Sequence, residues 1–108
     1  MNAHRLAEER SLELHRTIAA LLERDPALVE RARVRVRGWL KDGSVHPHYA
    51  SAWDRLLDGP LESLRRLLVD EGEHARALRH VTPFAGVVDP RTRWKIWREV
   101  RERTNREP

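Results

Sequence analysis

Residues 26–43 read PALVERARVRVRGWLKDG, and the reading of this stretch decides between a helical and a mixed fold. At its centre Arg31, Arg33, Arg35 and Arg37 alternate with Ala32, Val34 and Val36, the period of two that a half-exposed strand would show. The wider frame has a different period. Leu28, Val29, Ala32, Val36, Trp39 and Leu40 recur at helical spacing, Pro26 suits a helix start and Gly43 a helix end. No second run along the chain offers a partner strand, and arginine is a good helix former. The pattern therefore predicts a helix over 27–41 and, with it, an all-α chain.

Outward from this segment the same period continues. A first helix is expected over about 6–24, with Leu14, Ile18, Leu21 and Leu22 on one side, and it ends at Asp25-Pro26. A short helix over 48–57 carries Tyr49, Trp53, Leu56 and Leu57 and is broken by Gly59-Pro60. Pro60 opens a fourth, striped by Leu61, Leu64, Leu67 and Leu68. Asp70 is placed to cap a fifth over 71–80, with Glu73 three residues on in the manner of a capping box. The last helix starts at Asp89-Pro90, and residues 104–108 are expected to fray. The fold expected over residues 1–108 is a single compact all-α domain of five or six short helices.

Composition narrows the function classes. A chain of 108 residues, 40% hydrophobic and 35% charged, has room for one modest core. It has no cysteine, which removes disulfides and thiolate metal sites and makes a reducing cytoplasm the expected setting. No apolar run approaches the roughly 20 residues that a membrane helix needs, and charged residues follow the N-terminal methionine, so neither a span nor a leader is expected. Net charge is +4, and residues 90–108 alone hold seven basic and three acidic side chains, a local excess of 7 − 3 = +4. Such a basic end suits phosphates or an acidic protein patch.

The sequence contains no HExxH, P-loop, GxGxxG or nucleophile elbow. His46-Pro47-His48 is the closest histidine pair, but a metal needs three or four convergent donors, so no metal is expected. Glu8, Glu9, Asp70, Glu71 and Glu73 stand where acids complement helix starts. Neither a cofactor nor catalysis by this chain is expected. Arg31, Arg33, Arg35 and Arg37 fan around a helix and read as solvated surface.

The candidate binding surface lies at the C-terminal end. A loop holding Phe84, Val87 and Val88 runs into a helix bearing Trp94 and Trp97 three residues apart, flanked by Arg91, Lys95, Arg98 and Arg101. Aromatic centres bordered by arginine are what protein interfaces enrich. Phe84, Val87, Arg91, Trp94, Lys95, Trp97, Arg98 and Arg101 are therefore the candidate partner-binding residues. The competing reading is that both tryptophans anchor the last helix to the core, and one of them can do each. Beyond a protein partner, a second copy of the chain and weak, non-specific nucleic acid are further candidates.

Three runs carry a resemblance: SLELHRTIAALLERDPALVERA (11–32), WDRLLDGPLESLRRLLVD (53–70) and RALRHVTPFAGVVDPRTRWKIWREV (76–100). Together they resemble small helical actinobacterial antitoxins, similar to the MenA kind, whose cognate MenT toxins are nucleotidyltransferases that modify tRNA. The resemblance spans residues 11–102, and its sharpest parts, residues 53–60 and 82–86, are turns and aromatic anchors rather than catalytic signatures. It implies stoichiometric neutralisation of a toxin enzyme by covering or distorting its nucleotide or tRNA site. The alternative is a small nucleic-acid-binding transcriptional regulator that uses the basic last helix.

Overall fold

The structure, a computed structural model, describes residues 3–106. Six helices follow one another: α1 (Ala3–Arg24), α2 (Ala27–Asp42), α3 (Pro47–Asp58), α4 (Leu61–Val69), α5 (Glu73–His80) and α6 (Pro90–Asn105), with no strand among the described residues. The alternating arginines lie within α2, which Gly43 ends at φ +72, its N–H donating to the Trp39 carbonyl at 2.9 Å. The left-handed conformation costs glycine nothing, so the helix stops where the sequence places it. The last helix continues through Asn105, one residue past the start of the expected fraying, while residues 107–108 fall outside the described part.

The long helix α1 is the spine. α4, α5 and α6 pack along it, and α2 and α3 form an antiparallel pair that joins the rest through α4 and one end of α1. The radius of gyration is 14.3 Å, against about 13 Å for a globular chain of this length. The excess reflects a molecule of 45 × 28 × 23 Å drawn out along that spine. Ile18 and Leu22 of α1, Val36 of α2, Trp53 and Leu57 of α3, Leu64 and Leu68 of α4, Leu78 of α5 and Phe84 merge into one apolar core. Trp53 is wholly buried, meets Phe84 edge to face at 6.1 Å, and donates its indole N–H to the Leu78 carbonyl at 3.2 Å. That bond satisfies the one polar atom of the largest buried side chain.

Some expected core positions lie at the surface. Leu40 and Leu61 are exposed, because α2 and α4 each have one covered side and these residues fall beyond it. The capping box at Asp70 does not form. Asp70 ends α4 and accepts the Gly72 N–H at 2.6 Å, and Gly72, with no side chain to offer, precedes the first turn of α5. His46, in contrast, caps α3 by accepting the His48 N–H on Nδ1. The His46/His48 pair thus serves a helix start, and no group of three or more metal-donor side chains exists among the described residues.

Arginines tie the helices together through backbone carbonyl oxygens, most of them at helix ends and in loops. Arg33 donates to Leu57 O at 2.7 Å, Arg65 to Ala19 O at 2.9 Å, and Arg79 to Leu68 O and Asp70 O at 3.3 and 2.6 Å. Arg35 reaches Ala85 O at 3.0 Å and Pro83 O at 3.4 Å. The run of arginines expected to be solvated is therefore sorted by the fold: Arg33 and Arg35 are ties, while Arg31 and Arg37 point to solvent.

Candidate functional site: the outer face of the last helix

Residues 81–89 connect α5 to α6, and polar bonds fix their path. The Thr82 hydroxyl accepts the Phe84 N–H at 3.1 Å and lies 2.9 Å from His15 Nε2, to which it donates; His15 Nδ1 donates in turn to the Ser11 carbonyl at 2.7 Å. This arrangement needs the neutral ring. Burial holds the His15 pKa down at about 4, the Ser11 carbonyl opposes that shift, and the positive charge of Arg79 adds to it. Gly86 takes φ +85, turning the chain so that Val88 is buried, and Asp89 caps α6 by accepting the Thr92 N–H at 2.9 Å and the Thr92 hydroxyl at 2.7 Å.

α6 then lies on α1 through Ile96 and Val100, with Thr92, Arg93, Trp97 and Thr104 half-buried beside them. Arg103 fastens its far end to Glu9 and Glu13 of α1 at 3.1 and 3.2 Å. At 100° per residue the opposite face is set by the same geometry: Arg91, Trp94, Arg98 and Arg101 fall within about 80° of arc. Trp94 is 63% exposed at its centre. The three arginines are exposed, and none forms an ion pair among the described residues. Lys95 lies on one flank of this face and Trp97 on the other.

The candidate residues thus divide. Arg91, Trp94, Arg98 and Arg101 form one outward strip, with Lys95 at its edge. Trp97 packs against the core with one side and carries the Arg10 guanidinium 5.7 Å from its ring centre on another, so it anchors α6 to α1. Val87 is half-buried. Phe84 is a correction, because at 1% exposure against Trp53 it belongs to the core and offers nothing to a partner. The sequence placed it in a loop, and only the tertiary fold shows that the loop folds inward.

Sequence reasoning also missed polar residues of consequence. Among the described residues, His15 and Arg79 are the buried polar side chains, and each sits on the apolar face of its helix. The lone signal was that both break an otherwise aliphatic stripe. No helix among the described residues is long and apolar enough to cross a membrane. Comparison with protein-family models, curated proteins and solved structures finds no match for this chain.

Proposed function

We propose that this protein is a non-catalytic binding module, an antitoxin that neutralises a partner enzyme by direct contact through the outer strip of α6. The observation that carries the reading is Trp94. An indole left 63% exposed on a well-anchored helix, among arginines without acidic partners, exposes large apolar area that water solvates poorly and a partner can cover. Tryptophan and arginine are also the residue types whose loss at interfaces costs most. The finer identification, a toxin that is a tRNA-modifying nucleotidyltransferase, rests on the sequence resemblance alone.

The test is co-expression with a nucleotidyltransferase toxin of the kind the resemblance implies, comparing wild type with Trp94→Ala and Arg98→Ala. Both variants should keep the melting temperature of the wild type, since neither side chain enters the core, and Trp94→Ala should weaken the complex by at least about 2 kcal/mol and fail to rescue growth. Rescue and affinity unchanged in both variants would remove α6 from the interface. Tight, sequence-selective DNA binding that both substitutions abolish, with no protein complex, would establish the regulator instead.

A further inference from the structure

A groove of about 300 Å³ opens between α1, the α5–α6 connection and α6, on the flank of α6 away from Lys95. Arg10, Leu14, His15, Arg79, Thr82 and Trp97 line it. Its volume lies at the lower end of the range of small-molecule sites. Two of its walls are apolar, the Trp97 indole and Leu14, both packed against the core. The charged part of its lining is Arg10 and Arg79; Asp70 and Glu71 act on Arg79 from beyond ion-pair distance.

Arg79 is 5% exposed, yet no carboxylate comes within 4 Å of it; only its Nη1 is bonded, to two backbone carbonyls, and its Nε and Nη2 have no partner among the described residues. Arg10 likewise has no ion pair, and its Nε is buried without a hydrogen-bond acceptor. Of the acids of α1, Glu9 and Glu13 are paired with Arg103, and Glu8 lies 3.0 Å from His4 Nε2. Arg79 is nearly all removed from water yet keeps two nitrogens without a protein partner, and the half-buried Arg10 lies over the Trp97 ring, so two guanidinium groups with spare donors face one cavity, where an anion can accept from both. His15, held neutral by its bonds to Ser11 and Thr82, adds no third cation.

We propose that this groove binds a small organic oxyanion, a carboxylate or phosphate carried on an apolar or aromatic body, with Arg10 and Arg79 meeting the oxyanion and Trp97 and Leu14 the body. The site is distinct from the outward strip centred on Trp94, and its occupancy does not depend on that strip's partner.

The test uses the full chain and four probes: benzoate, phenyl phosphate, inorganic phosphate and benzyl alcohol. Binding is followed by the Trp97 indole N–H resonance, assigned with Trp97→Phe. Benzoate, phenyl phosphate or both should shift it saturably, and which of the two binds more tightly identifies the oxyanion. Arg10→Gln should weaken that binding about tenfold, the loss of one charge-assisted hydrogen bond, and Arg37→Gln, outside the groove, should leave it unchanged. Benzyl alcohol binding as well as benzoate, or inorganic phosphate as well as phenyl phosphate, would overturn the proposal by removing the need for one half of the ligand. So would an equal loss in Arg37→Gln, or no saturable shift up to roughly 10 mM probe, a concentration well above the millimolar dissociation constant that about −4 kcal/mol of binding gives.

Discussion

Lowering the pH from 7.5 to 5 should destabilise this protein through one side chain, His15. Its ring is 1% exposed, donates to Ser11 O, accepts from the Thr82 hydroxyl, and faces Arg79, so a proton on Nε2 would break the bond to Thr82 and place a second cation in the interior. The folded-state pKa is about 4 against 6.5 for the free side chain, so the unfolded chain binds the proton first. Stability is therefore complete above pH 6.5 and is lost as pH falls toward 4. With those two values the loss is about 2 kcal/mol at pH 5 and about 3 kcal/mol at pH 4. Asp42 and Asp89, whose carboxyls are held below 3.8 by hydrogen bonds to Ser44 and Thr92, lose their protective effect only at lower pH and leave this window to His15. Urea denaturation followed by circular dichroism at half-unit steps from pH 7.5 to 5 measures the slope directly. In His15→Gln most of the slope should vanish over that range, whatever the variant's stability at pH 7.5. A flat wild-type profile, or the same fall in the variant, would refute the account of the His15–Thr82 contact as a neutral, desolvated hydrogen bond.

Three further outcomes are expected from the same assay at neutral pH. Trp53→Ala removes the largest buried side chain and its bond to Leu78 O, and should cost about 3–5 kcal/mol, enough to unfold much of the population of a small domain. Gly38→Ala should stabilise by about 0.5–1 kcal/mol, because Gly38 is interior to α2 and a Cβ there meets nothing within 4 Å. Asp89→Ala should lower the urea midpoint, because the start of α6 forfeits its capping carboxylate, and hydrogen exchange should show the first turn of α6 opening.

Much of the fold is legible in the sequence because its signals are local. The helical frame around the alternating arginines outweighs their alternation, and Gly43, Asp89-Pro90 and Gly59-Pro60 mark boundaries to within a residue or two. Asp70 shows the limit of such signals: an acid three residues before Glu73 satisfies the capping pattern, but Gly72 intervenes and Asp70 instead closes the turn after α4. Burial of polar groups is less legible still. His15 is bonded to Thr82 and one nitrogen of Arg79 to Leu68 and Asp70, and His15 and Thr82 are 67 residues apart, a pairing that no spacing rule encodes. The candidate interface was half legible. Trp94 and its arginines stand out by type and register, but only packing separates the outward Trp94 from the anchoring Trp97 and moves Phe84 to the core.

The arginine ties have a consequence for how this chain can vary. Lysine is scarce in the sequence, and the shortest bonds by which Arg33, Arg35, Arg65 and Arg79 reach across elements end on uncharged carbonyl oxygens. A carbonyl belongs to the backbone and survives any side-chain replacement at its position. The frame therefore makes few demands on which acids the surface carries: Glu23, Glu30, Asp58 and Glu62 lie within 4 Å of these arginines yet are themselves more than 60% exposed, where an ion pair contributes little. Substitutions at those acids can accumulate without loosening the scaffold, so the charge pattern the molecule shows to other molecules can drift, or be retuned to a changing partner, independently of its architecture.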